Sequence, residues 1–67
     1  MKNRIKDMRA ERVWTQEQLS ERVGVSRQTV ISIENGRYNP SLELAFKLAR
    51  AFGCAIEDLF SLEEDGE

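Results

Sequence analysis

With 67 residues, ten lysines and arginines, twelve aspartates and glutamates and no histidine, the chain is one small domain of net charge −2. A single cysteine excludes an internal disulfide and the missing histidine excludes a cysteine–histidine zinc set; no apolar run approaches the ~20 residues of a membrane span. The charged start Met1 to Asp7 lacks a secretory apolar region, so a cytoplasmic chain held by helix packing, with self-association assisting, is expected.

The spacing predicts a first helix over about Asn3 to Arg12, with Ile5 and Met8 inward and Lys2, Arg4, Lys6, Arg9 and Arg12 on other faces. Thr15 then stands as the N-cap of a second helix. Gln18 at its third position completes a capping box, and Trp14 can close a hydrophobic staple onto Leu19. Leu19 and Val23 share one face, and small Ser20 permits a close helix crossing. Gly24 falls where the chain must leave this helix and begin the next, a place that asks for positive φ. Ser26 caps the third helix, Val25 can staple onto Val30, and Val30 and Ile33 share its inner face. Two short helices joined by one glycine turn form a helix-turn-helix pattern, which leaves the outer face of the second helix free to enter a DNA groove.

Asn35-Gly36 supplies the C-terminal stop, and Arg37-Tyr38-Asn39-Pro40 is a loop. Ser41 caps a fourth helix over about Leu42 to Phe52, with Leu44, Ala45, Leu48, Ala49 and Phe52 as its buried stripe and Gly53 as its end. A short fifth helix, about Ile56 to Phe60, places Ile56, Leu59 and Phe60 on one side and starts raggedly, because Ala55 occupies its cap position. No segment alternates as a strand should, although Phe60-Ser61-Leu62 could pair weakly across a dimer. Residues 1–62 therefore read as a DNA-binding and dimerisation domain and residues 63–67 as an acidic disordered tail. The charge is also unevenly divided, with its boundary at residue 50. Residues 1–50 carry +4, whereas residues 51–67 carry −6 and no base. A basic body with an acidic end can meet phosphate by one face, so the net charge does not exclude nucleic acid.

The ordered motifs Thr15-Gln16-Glu17-Gln18-Leu19, Val23-Gly24-Val25-Ser26, Ile33-Glu34-Asn35-Gly36, Asn39-Pro40-Ser41 and Asp58-Leu59-Phe60 resemble the Cro/CI-type helix-turn-helix regulators, also called the xenobiotic-response-element family. The resemblance covers about residues 3–60, and the stretches Ser26 to Thr29 and Tyr38 to Ser41 are most similar to compact stand-alone members of the cytolysin-repressor type. Ser20 and Ala55 depart from the family's usual alanine and capping hydroxyl. The resemblance implies an all-α, five-helix, lambda-repressor-like domain that binds double-stranded operator DNA as a symmetric homodimer.

With Val30 and Ile33 inward, the third helix exposes Arg27, Gln28, Ile31, Ser32 and Asn35. Arg27 suits guanine O6/N7 or a phosphate, Gln28 suits adenine N6/N7, and Ser32 suits several bases. Ile31 would meet a thymine methyl group or pack on the following loop. Phosphate contacts are expected from Gln16, at the start of the second helix, and from Asn35, Arg37, Tyr38 and Asn39, with Tyr38 alternatively a half-buried ring. Arg9 and Arg12 would be phosphate contacts or surface charges, and Glu34 would pair with an arginine or cap the loop. Phe52, Ile56, Leu59, Phe60 and Leu62 form the expected dimer interface. The aromatics Trp14, Phe46, Phe52 and Phe60 are expected in core or interface. Cys54 is expected to be a small buried group rather than a redox thiol, with Glu57 and Asp58 raising its pKa.

Function follows as a sequence-specific transcriptional regulator, with a repressor the first expectation, on a palindromic operator, without cofactor, metal, membrane or small-molecule substrate. An antitoxin that holds a protein toxin and represses its own operon is the alternative. An enzyme is disfavoured, since the chain has no histidine, no phosphate-cradling glycine loop and no nucleophile–base pair.

Overall fold

The computed structural model describes residues 1–62, and the acidic run 63–67, together with the disorder expected of it, lies outside the described residues. In chain order the elements are β1 (Lys2–Asn3), α1 (Ile5–Glu11), α2 (Gln16–Val23), α3 (Arg27–Glu34), α4 (Leu42–Phe52), α5 (Ile56–Leu59) and β2 (Phe60–Ser61).

Three helices start where a side-chain hydroxyl replaces the missing fourth backbone partner. Thr15 Oγ1 accepts from the Gln18 amide at 3.0 Å while Gln18 Oε1 accepts from the Thr15 amide at 2.8 Å, a complete capping box. Ser26 accepts from the Thr29 amide and Ser41 from the Leu44 amide, each at 3.1 Å. Gly24 closes α2 in the left-handed region at φ 76°, the conformation expected of the turn between α2 and α3. At the end of α3, Asn35 stays right-handed at φ −83° and Gly36 alone carries the positive φ.

The buried stripe of α4 is the expected one: Leu44, Ala45, Leu48, Ala49 and Phe52. Leu44, Ala45, Leu48 and Phe52 meet Ile5 and Met8 of α1, Leu19 and Val23 of α2, and Val30 and Ile33 of α3 in one core, which Leu59 and Phe60 close from the C-terminal end. Ser20 is buried where α2 crosses α3, and its hydroxyl donates to the Glu17 carbonyl at 2.7 Å, so no polar atom is stranded there. Trp14 packs against the core and stacks on Phe52 with ring centroids 5.4 Å apart. Arg22 and Arg12 lie over the Trp14 ring at 4.1 and 5.8 Å. Phe46 departs from the core-or-interface expectation so far as the core is concerned. It lies off the buried stripe of α4 and is exposed.

Both ends of the chain differ from expectation. Phe60-Ser61 does form strand pairs, but with the same chain: Asn3 faces Phe60 and Lys2 faces Ser61 in antiparallel register. This pairing draws Asn3 out of α1, which begins at Ile5, and draws Phe60 out of α5, which ends at Leu59. Asn3 then acts as a tie. Its Oδ1 accepts from the Ile5 amide at 3.1 Å and its Nδ2 donates to the Ile33 carbonyl at 2.9 Å. Ala55 supplies no capping hydroxyl, and Asp58 compensates by accepting from the Ala55 amide at 3.2 Å. Val13 is a β-branched residue held at φ 57°, a strained conformation at the turn into the Thr15 cap.

Candidate nucleic-acid interface

The third helix is fixed from within and left free outside. Its inner face is set by buried Val30 and Ile33, by the Ser26 cap, and by Asn3 at the Ile33 carbonyl. Glu34 completes the anchorage. Its side chain is 5% exposed and accepts from Arg9 Nε at 2.8 Å, from a second Arg9 nitrogen at 3.3 Å and from Gln16 Nε2 at 3.1 Å. Arg9, itself 15% exposed, also donates to the Trp14 carbonyl at 2.9 Å. One carboxylate thus joins α1, the start of α2 and the end of α3, and Glu34 takes the arginine-pairing role that was one of its two expected ones.

On the outer face, Arg27 and Gln28 are exposed in the first turn of α3, and Ile31 and Ser32 follow, half-buried. Asn35, Arg37, Tyr38 and Asn39 are exposed at the far end of the helix and in the loop after it. Among the described residues, the side chains of Arg27, Gln28, Asn35, Arg37 and Asn39 hold no hydrogen bond or ion pair. The segment 27–39 contains one carboxylate, Glu34, and that carboxylate is buried against Arg9, so the rim presents cations and neutral donors only. Tyr38 is 48% exposed, and its ring flanks α3 beside Thr29 and Ser32.

Gln16 stands apart from this free set. One hydrogen of its amide goes to Glu34, which leaves the second amide hydrogen and the carbonyl oxygen without a partner among the described residues. Nothing in the sequence connected Gln16 to Glu34, since the two are brought together only by the crossing of α2 and α3. Arg9 is held by Glu34. Arg12 donates to the Met8 and Phe52 carbonyls and sits over the Phe52 ring at 5.1 Å, so both are structural cations rather than free ones.

Of the residues expected at a dimer interface, Phe52, Leu59 and Phe60 are buried in the chain's own core. Ile56 is half-buried and Leu62 is 72% exposed. A hollow of about 330 Å³ lined by Met1, Pro40, Leu42, Ala45, Ile56 and Phe60 opens on that side, with Leu42 71% exposed. Sequence reasoning did not place Met1, Pro40 or Leu42 here, because the β1–β2 pairing that brings Met1 to this edge was not foreseen. Cys54 is half-buried. Burial and the neighbouring Asp58 push its thiol pKa up, against the lesser pull of Arg12 and Arg4. Among the described residues no helix is long and apolar enough to cross a membrane.

Comparison with known proteins agrees with this architecture. The helix-turn-helix family model matches residues 5–59. The chain is 57% identical to an uncharacterized HTH-type transcriptional regulator of Methanocaldococcus jannaschii, over 97% of this chain and 98% of that one. It is 54% identical to the uncharacterized HTH-type transcriptional regulator YgzD of Bacillus subtilis, again over 97% and 98%. The cryptic phage CTXphi transcriptional repressor RstR of Vibrio cholerae is 37% identical over 92% of this chain, which spans 56% of that protein. Among solved structures, the restriction-modification controller protein C.AhdI of Aeromonas hydrophila superposes with a TM-score of 0.79 at 33% identity, covering 85% of this chain and 86% of that one. The N-terminal DNA-binding domain of SinR from Bacillus subtilis superposes with a TM-score of 0.78 at 27% identity, covering 91% and 90%. The fold is the lambda-repressor-like one, and an antitoxin role finds no support in these relatives. The chain belongs to the Cro/CI-type, or xenobiotic-response-element, family of helix-turn-helix transcriptional regulators.

Proposed function

We propose that this chain is a cytoplasmic repressor that binds a two-fold symmetric operator as a homodimer, with α3 in the major groove. The observation that carries this reading is the outer face of α3. Arg27, Gln28, Ile31 and Ser32 are presented on a helix whose inner face is pinned at several points, and no exposed carboxylate occurs between residues 27 and 39. Arg27 reads guanine, Gln28 reads adenine, Ile31 covers a thymine methyl and Ser32 contributes a hydroxyl. Asn35, Arg37, Tyr38 and Asn39 hold one strand by its phosphates, and the amide of Gln16 contacts phosphate at the start of α2. The name of RstR, a phage transcriptional repressor, supports repression over activation.

A single domain of this size covers too little duplex for tight specific binding, which favours a two-fold pair. Pairing through the apolar hollow at Leu42 and Ile56 withdraws these side chains from water while leaving the core residues Phe52 and Leu59 where they are. The test is selection from random duplexes with the purified full chain, followed by sedimentation of the complex. A palindrome with half-sites about one helical turn (~34 Å) apart and two chains per duplex is the expected result. Failure to enrich any sequence refutes the operator reading.

A further inference from the structure

Beside the reading face lies a hollow of about 270 Å³ lined by Ser26, Gln28, Thr29, Ser32 and Tyr38. Every lining side chain carries a hydroxyl or a carboxamide, and none is charged. We propose that this hollow seats one phosphodiester of the DNA backbone, held by the neutral donors Thr29 and Tyr38; the proposal rests on the operator-binding reading above, in which Ser32 keeps its base contact, and gives the phosphate contact of Tyr38 a defined seat with Thr29 as second donor.

Hydrogen-bond accounting supports the assignment. The Thr29 amide is already satisfied by Ser26, whose Oγ and carbonyl oxygen both lie 3.1 Å away, so the site is one of side chains. The Ser26 and Thr29 hydroxyls share one hydrogen bond of 3.0 Å, which leaves one of their two hydrogens to be donated elsewhere. Among the described residues the Ser32 and Tyr38 hydroxyls and the Gln28 amide have no partner either. Several neutral donors around a hollow with no lysine or arginine suit the single charge and two free oxygens of a phosphodiester, and would hold a free dianion poorly. Gln28 and Ser32 belong to both the hollow and the reading face, so a phosphate seated here fixes the register of the helix against the bases beside it.

A neutral seat has a signature that a cationic one lacks. It adds affinity without releasing counterions, so its loss leaves the salt dependence of binding unchanged. The experiment uses the full chain and its selected duplex, with Tyr38→Phe, Thr29→Val and the double variant, titrated at several salt concentrations. Each single variant is expected to weaken binding about three- to tenfold, equally for selected and unrelated duplexes, with the slope of log K against log salt unaltered. Arg37→Ala, run beside them, should make that slope shallower by about one. Ethylation of one backbone phosphate should weaken the wild-type complex and cost the double variant little more. The seat is refuted if the variants bind as wild type, if their salt slope falls, or if preference changes at a single base pair, which would mean that the hollow reads a base. A wild-type chain that binds no duplex refutes the operator reading instead. Tyr38 is a surface residue, so Tyr38→Phe tests the seat even if Thr29→Val unfolds the chain.

Discussion

Replacing Glu34 by alanine should cost this domain most of its stability, although the residue is not a member of the apolar core. The carboxylate accepts three hydrogen bonds, at 2.8 and 3.3 Å from Arg9 and at 3.1 Å from Gln16, and its side chain is only 5% exposed. Removing it leaves the Arg9 guanidinium, 15% exposed, with the Trp14 carbonyl as its remaining acceptor. Breaking a buried pair from one side costs about 3–5 kcal/mol, and the partial exposure of Arg9 brings the estimate to about 2–4 kcal/mol. A domain of this length has roughly 3–5 kcal/mol in all, so Glu34→Ala should be partly unfolded at room temperature. Glu34→Gln should fare little better, because its NH2 group meets the donors of Arg9 and Gln16. The joint replacement of Arg9 by Met and Glu34 by Leu should recover much of the loss, since neither charge then remains buried. Urea unfolding followed by helical circular dichroism and by Trp14 fluorescence measures all of these. A Glu34→Ala midpoint equivalent to a loss below about 0.5 kcal/mol, the scale of an ordinary surface change, would refute the argument.

Three further outcomes are expected. Val13 sits at φ 57° with its side chain 85% exposed, so Val13→Asn should relieve strain at little packing cost and stabilise by about 1 kcal/mol; a melting temperature that fails to rise by several degrees contradicts this. The raised thiol pKa of Cys54 means that the fold prefers the protonated form, so stability should be flat below the free thiol's pKa of about 8.5 and fall as pH climbs through the folded value. Cys54→Ser should remove that fall, and iodoacetamide should react more slowly with the folded chain than with the unfolded one at pH 8. Under the operator reading, Arg27→Ala and Gln28→Ala should each relax preference at a particular base pair by about 1–3 kcal/mol, read by repeating the selection; an unchanged selected sequence would remove that residue from the reading face.

What was legible in the sequence was local. Thr15, Ser26 and Ser41 each cap a helix by reaching three residues ahead, and the buried stripe of α4 repeats with the helical period, so both signals lie within one or two turns of chain. The expected reading residues are where helical geometry puts them once Val30 and Ile33 face inward. The misplaced elements depend on the meeting of distant segments. Lys2–Asn3 and Phe60–Ser61 are two-residue strands from opposite ends of the chain, too short for any alternation to show. Their pairing moved the start of α1, the end of α5 and the composition of the apolar edge together. The Gln16–Glu34 bond belongs to the same class, since it is set by how α2 and α3 cross; the positive φ of Val13 is instead local, closing α1 where the Trp14 amide reaches back to the Arg9 carbonyl.

The charge pattern joins fold and function at one residue. An acidic chain that is to meet DNA must keep carboxylates off the face it presents, and segregating six acids into residues 51–67 does part of this. Glu34 lies at the C-terminal end of α3, beside the rim proposed to meet phosphate, where a free carboxylate would repel the backbone. Bound by Arg9 and Gln16 it is neutralised, and the same contacts set the position of α3 against α1 and α2. Glu34→Ala should therefore leave Arg9 a free cation near that rim in whatever fraction stays folded. Unspecific DNA affinity of that fraction should hold or rise even as stability falls, and sequence preference should weaken because α3 has lost an anchor. A variant that lost stability and unspecific affinity in equal measure would show that Glu34 acts on the fold alone.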